Sequence, residues 1–261
     1  MSVKPKKSLG QNFLLDKNII DKIINASKIS SSDEVLEIGP GTGNLTKFIV
    51  SQKPKKIYVI EKDENLISAL EKQYFDKINI IKNDILKIPF KFYSRKKFLV
   101  LGNLPYNIST KILSNLCTNS ELSVSRMILM FQKEVAERIL ADVNSKEYSR
   151  ITILSKWKFD IKRVTDVKPN SFFPKPKVHS TVLEFIPKRR IHEIKDPKNL
   201  EKITKVFFNQ RRKMIKKPIN ILFKKYKFDY KKFNINPTDR PQNIDISKYL
   251  KIVNEYESLG N

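Results

Sequence analysis

Asn103-Leu104-Pro105-Tyr106 stands directly behind an apolar run at 98–101 that has the length of a buried strand. The Asn103 amide oxygen and a backbone carbonyl beside Pro105 are two acceptors that can hold an amino group by its hydrogens, and Pro105 stiffens the loop that carries them. That arrangement suits an amine whose lone pair is delocalised into a ring, as in the exocyclic amine of adenine. Such a nitrogen is a poor nucleophile until it is held in line with an electrophilic carbon, in the geometry that localises the pair. Tyr106 adds a ring on which a base can stack. A polar loop with a buried tyrosine is the plainer reading, and the strand in front of the motif argues against it.

A source for the electrophile lies in Glu37-Ile38-Gly39-Pro40-Gly41-Thr42-Gly43, where an apolar run at 35–38 hands over to a helical pattern at 45–50. Glycines at such a junction let a ligand approach the backbone, and Glu61 at the end of the next apolar run can accept hydrogen bonds from both hydroxyls of a ribose. The pair fits any adenosine-containing cofactor. A dinucleotide fingerprint would place its third glycine at 44, where Asn44 stands, so the spacing fits S-adenosylmethionine better than NAD. No strong general base is required, because the amine's proton becomes acidic only once a methyl group has begun to transfer.

These residues need elements to position them. Ile19, Ile20, Ile23 and Ile24 share one face of a predicted helix over 18–28. Short apolar runs at 35–38, 57–60, 78–81, 98–101 and 127–131 alternate with helix-length segments, which predicts a parallel, doubly wound sheet. From Arg150 the apolar residues Ile151, Ile153, Trp157, Phe159 and Ile161 fall mostly on alternate positions; with 178–186 they predict a closing antiparallel hairpin, Trp157 serving as packing. Beyond Pro187 the pattern turns helical, with Leu200, Ile203, Val206, Phe207 and Met214 on one side. The expected domains are therefore 1–187 and a small all-helical 188–261.

Charge narrows the partner. Lys and Arg total 52 against 27 Asp and Glu, a formal +25, and +12 of it falls in the segment 188–261. A field of that sign draws polyanions, and nucleic acid is the leading one, against the rival reading of a merely solvated lysine surface. An anionic membrane is disfavoured: no apolar run reaches the roughly 18 residues of a spanning helix, and the stretch behind Lys4, Lys6 and Lys7 is broken by Asp16 and Lys17 before a signal core could form. Cys117 is the sole cysteine and His179 and His192 the sole histidines, so a reducing, metal-free cytoplasmic enzyme is expected.

With those residues in view, the chain resembles the ribosomal small-subunit RNA adenine N6,N6-dimethyltransferase family. The resemblance runs nearly end to end: Gln11-Asn12-Phe13-Leu14, the loop 39–43, Glu61, Asp84, Asn103-Leu104-Pro105-Tyr106-Asn107-Ile108-Ser109, Gln132-Lys133-Glu134-Val135, Phe172-Phe173-Pro174-Lys175-Pro176-Lys177-Val178 and Phe208-Asn209-Gln210-Arg211-Arg212-Lys213. It implies an α/β fold, a Rossmann-like class I S-adenosylmethionine-dependent methyltransferase domain followed by a small helical domain. It also implies stepwise methylation of two adjacent adenines within a pre-ribosomal particle, by a monomer. Asn12 and Leu14 would help close over the cofactor alongside Gly39 and Gly41, Glu61 would take its ribose, and Asp84 its adenine amine. Phe172 would sandwich the target base against Tyr106, or else be a core aromatic. Arg211, Arg212 and Lys213, on a basic helix, would grip RNA phosphates, and Glu134 would be structural.

The chain departs from the family pattern at Ser149, where glycine is usual, and at Pro218, which ends one helix or begins the next. A sister group that methylates large-subunit RNA shares the pocket, but the 172–178 and 208–213 motifs favour the small-subunit enzymes. DNA adenine methyltransferases usually carry proline where Leu104 stands. A non-enzymatic assembly or transcription factor of the same fold is opposed by retention of Asn103, Tyr106 and the cofactor loop.

Overall fold

The structure is a computed structural model describing residues 5–6, 9–94, 96–224 and 226–260; Lys4 and Lys7 of the N-terminal basic stretch fall outside the described residues. Its centre is a sheet built from β2 (Glu34–Ile38), β3 (Lys56–Glu61), β4 (Asn79–Lys82), β5 (Lys97–Asn103), β6 (Ser123–Gln132), β7 (Phe159–Val167) and β9 (Ser180–Pro187), in the order β4-β3-β2-β5-β6-β9-β7. Strands β4 through β6 pair in parallel, and β9 closes antiparallel on β6. Val35, Leu36, Val59, Val100 and Leu101 are fully buried, as strands covered on both faces must be.

Helix α1 (Lys17–Ser27) shows how one face is covered. Asp16 caps it by accepting from the backbone N–H groups of Asn18 and Ile19, and Lys28 ends it in the left-handed region at φ 52. Between those stops Ile19, Ile20, Ile23 and Ile24 are 1–8% exposed and share a core cluster with Val35, Leu99 and Ile128. Each buried isoleucine contributes roughly 1.5–3 kcal/mol. Helices α2 (Asn44–Ser51), α3 (Glu64–Tyr74), α4 (Ser109–Thr118) and α5 (Lys133–Leu140) supply further connections. A two-stranded sheet of β1 (Phe13–Leu14) and β8 (Phe172–Phe173) joins the N-terminal strap to the chain just ahead of β9.

The expected strand from Arg150 is corrected in part. Residues Arg150–Lys158 form α6, and the strand β7 begins only at Phe159. Ile151, Ile153, Leu154 and Trp157 are buried together with Thr152 and Ser155, so α6 lacks the polar face that would betray a helical period. Ser149 serves as the residue before the helix: its N–H donates to Thr152 Oγ1 at 2.9 Å, and its φ of −153 is extended backbone that needs no glycine.

The compact units also cut the chain differently from the expected break. One comprises residues 1–115, 120–136 and 160–187; the other takes 116–119 and 137–159 together with 188–261. In the second unit α6 packs on α7 (Pro197–Phe208), which in turn meets α8 (Lys216–Leu222) and α9 (Ile246–Ser258). Phe207 is fully buried and meets Tyr249 at 5.3 Å between ring centroids. Pro218 begins a helix, as the third residue of α8, and is buried. No helix among the described residues is long and apolar enough to cross a membrane.

Candidate active site

Strand register assembles the site. Ile38 pairs with Ile60 on one side and with Gly102 on the other, so Gly39, Glu61 and Asn103 leave three adjacent strands at one level. This is the carboxyl edge of the sheet at the point where connections diverge, the usual crevice for a ligand in open α/β sheets. Gly102 allows the approach: a Cβ there would lie 3.0 Å from the Ile38 carbonyl oxygen and from Leu104. Asn83 N–H donates to the Glu61 carbonyl at 3.0 Å, which brings Asp84 to the same edge. A cavity opens there, lined by Asn12, Leu14, Gly39, Gly41, Glu61, Asp84 and Asn103, the expected cofactor residues, and by Leu104, Pro105 and Tyr106.

The N-terminal strap is tied over this edge by side chains. Asp63, which caps α3, accepts from Lys6 Nζ at 2.7 Å and from Gln11 Nε2 at 2.9 Å. Asn44 Nδ2 donates to the Leu14 carbonyl at 2.8 Å, so the residue that departs from a dinucleotide fingerprint locks strap to loop. Gly41 has φ 58, and a Cβ on it would come within 2.9 Å of the Phe13 ring. The strap and the glycine loop therefore meet without room for a side chain. Asn103 Nδ2 donates to the Asn12 carbonyl at 2.8 Å, which assigns the amide orientation and leaves Oδ1 available as an acceptor.

Burial sets the charge states along the cavity. Glu37 is fully buried and is pushed up to about 8 by desolvation, partly opposed by the hydrogen bond from Thr46 Oγ1 at 2.7 Å, with Glu61 adding repulsion. Burial also raises Glu61, against the N–H groups of Asp63, Lys62 and Gly41. An acceptor carboxylate preset by backbone donors is suited to ribose hydroxyls. Asp84 is opposed by burial but held below the usual carboxylate range by the Leu86 N–H and by Lys62, whose Nζ lies 3.3 Å away.

Tyr106 is placed by a partner the sequence did not single out: its Oη lies 2.6 Å from Oγ of Ser180, a fully buried residue at the start of β9. Phe172 takes the position of a core aromatic, the second of its two expected readings. It is 4% exposed, pairs with Leu14, and belongs to the core cluster with Ile19 and Val182. It is not among the residues that line the cavity with Tyr106. A strand alternates its faces, so of the two adjacent phenylalanines one had to go to the core, and the period alone does not say which. Phe173 is the exposed one, at 56%.

In the second unit the basic motif also departs from expectation. α7 ends at Phe208, and Arg211, Arg212 and Lys213 sit in the turn between α7 and α8, with Met214 56% exposed and not on an apolar helix face. Arg211 Nη2 donates to the Lys146 carbonyl. Arg212 and Lys213 are exposed and line a concavity shared with Lys216, Lys217, Lys224 and Arg240. Asn44, Asp63 and Ser180 were given no place in the site by the sequence, and Gln11 only a place in the opening motif; each is brought to the site by a contact made in space.

Known proteins bear on this site. The sequence profile of the family described as ribosomal RNA adenine dimethylase matches residues 2–258. A Ribosomal RNA small subunit methyltransferase A from Pelagibacter ubique (strain HTCC1062) is 51% identical over 261 residues, covering 99% of each chain. A crystal structure of a dimethyladenosine transferase from Plasmodium falciparum superimposes with TM-score 0.74 at 29% identity, covering 95% of this chain and 98% of that one. The 23S rRNA methyltransferase ErmE shares the fold, with TM-score 0.66 at 20% identity, over 95% of this chain and all of its own.

Proposed function

The chain belongs to the ribosomal RNA adenine dimethylase family, and from that premise we propose that it transfers methyl groups from S-adenosylmethionine to the N6 amines of two adjacent adenines in small-subunit ribosomal RNA. The observation that carries this reading is the placement of Asn103. Its amide is oriented by the Asn12 carbonyl, on the same sheet edge as Glu61 and in one cavity with Tyr106. The 51% identical relative bears a small-subunit name, which favours that substrate over large-subunit RNA.

The residues present fit the cofactor. Gly39 leaves the backbone open, Gly41 lines the same cavity with the Phe13 ring against it, Glu61 offers a carboxylate for ribose hydroxyls, and Asp84 one for the adenine amine. The sulfonium of S-adenosylmethionine supplies the electrophilic methyl group. Asn103 Oδ1 and the carbonyl beside Pro105 accept the two hydrogens of the target amine and so turn its lone pair toward that group. Tyr106, tethered by Ser180, offers its ring to the base. After one methylation a single N–H remains, which one of the two acceptors can still hold while the other is left without its donor. Leu104, 1% exposed, anchors the loop from beneath.

We further infer a monomer that acts in the cytoplasm on an incomplete small ribosomal subunit, whose RNA complements the +25 charge. The test is to give purified protein labelled cofactor and small subunits from cells lacking this modification, beside a family member of known activity. Label on the two adjacent adenines is expected; unlabelled subunits in the presence of a working control would end the proposal.

A further inference from the structure

A base held at Asn103 and Tyr106 brings its neighbours along, so the chain just outside the cavity must face the flanking RNA. Residues 173–179 are tethered at both ends to the site. At one end Phe173 stands opposite Phe13 in the β1–β8 pair. At the other, Ser180 holds Tyr106, and the His179 carbonyl accepts from Lys133 N–H at 2.9 Å. Directly opposed residues of a strand pair project to the same face, so Phe173 shares the face of Phe13, whose ring abuts Gly41 of the cofactor loop.

Between the tethers the surface has one chemical character. Phe173 is 56% exposed and Val178 42%, with Lys175 and Lys177 exposed between them. The stretch 168–179 contains Lys168, Lys175 and Lys177 and no carboxylate. Among the described residues neither Lys175 nor Lys177 enters an ion pair. An aromatic ring left in water beside cations that lack internal partners is the composition of a single-stranded nucleic-acid platform: the ring takes a base face and the cations take phosphates. A protein partner of acidic character would meet the lysines but would leave the ring without a planar counterpart.

We propose that residues 173–179 form a subsite for the single-stranded nucleotides flanking the target adenine, with Phe173 stacking on a neighbouring base and Lys175 and Lys177 holding phosphates. The inference rests on the proposed function, and it assigns to exposed Phe173 a contact with RNA separate from the site of the reacting base. It also separates two tasks: Asn103 and Tyr106 act on the reacting base, whereas the 173–179 edge governs how tightly the strand is held.

Steady-state methylation of undermodified small subunits by the wild type, Phe173→Ala, Phe173→Tyr and the pair Lys175→Ser with Lys177→Ser tests this, with cofactor affinity and melting temperature measured alongside. Phe173→Ala is expected to raise KM for the subunit roughly tenfold with kcat within about twofold, and Phe173→Tyr to restore it. The lysine pair should raise KM and flatten the dependence of log affinity on log salt by about 0.7 for each phosphate no longer neutralised. Unchanged KM in Phe173→Ala overturns the inference while the wild type still methylates, so the proposed function stands. A KM rise matched by an equal loss of cofactor affinity would make Phe173 a strap residue and overturn it too. A wild type that leaves subunits unlabelled removes both.

Discussion

The side-chain nitrogen of Asn103 donates to the backbone carbonyl of Asn12 at 2.8 Å, across 91 residues of sequence. The strap that would cover the cofactor thus also sets the orientation of the amide that would hold the acceptor amine. In the proposed function, cofactor enclosure and acceptor alignment would share one hydrogen bond.

Replacing Asn103 with Ala removes that acceptor and should slow single-turnover methyl transfer about a hundredfold or more, with much smaller loss of cofactor affinity. A near-normal single-turnover rate would take Asn103 out of the chemistry.

Asp63 should act as the latch of the strap. Burial opposes its charge, but Lys6, Gln11 and the Asn65 N–H together hold it below the ordinary carboxylate range. Its contribution is therefore present above that range and lost as pH falls through its own lowered value. Asp63→Ala should weaken cofactor binding about tenfold by calorimetry, as removal of charged hydrogen bonds of roughly 1.5–3 kcal/mol allows.

Glu37 has the opposite sign. Raised from 4.5 to about 8, it keeps a proton in the folded state that the unfolded chain has already lost. Folding stability from this group is full at low pH and declines as pH rises through the interval between those values. Glu37→Gln should abolish that decline. Melting curves from about pH 5 to about pH 8 should show the wild type losing several degrees relative to the variant, at about 2–4 °C per kcal/mol. Parallel curves would show that Glu37 is ionised in the fold.

Ser180→Ala should lower kcat several-fold by freeing the Tyr106 ring, and should have no further effect in a Tyr106→Phe background, where the tether is already absent. Additive losses would assign Ser180 to packing alone.

Neutralising Arg212 and Lys213 should weaken binding to small subunits and lower the salt slope by about 0.7–0.9 for each phosphate they neutralise, leaving cofactor affinity intact. Arg211, bonded to the Lys146 carbonyl, should instead cost stability when replaced, seen as a lower melting temperature.

Much of the site was legible in the sequence because its chemistry is local. Asn103 through Tyr106 behind a strand, the loop 39–43 and Glu61 are local groups whose proposed roles were read from residue type and spacing, and the structure gathers them along one edge. The α/β alternation was legible for the same reason, since buried parallel strands are continuous apolar runs. Tertiary structure decided what periodicity cannot carry. Helix α6 is buried all round, so its apolar residues fit a strand as well as a helix. Which of Phe172 and Phe173 faces the core depended on pairing with Leu14 and Phe13, since a one-residue shift exchanges the two faces. The contacts of Asn12 with Asn103, Gln11 with Asp63 and Ser180 with Tyr106 join residues far apart in the chain, and only the packed sheet, by fixing which strand ends lie side by side, brings them within hydrogen-bonding reach.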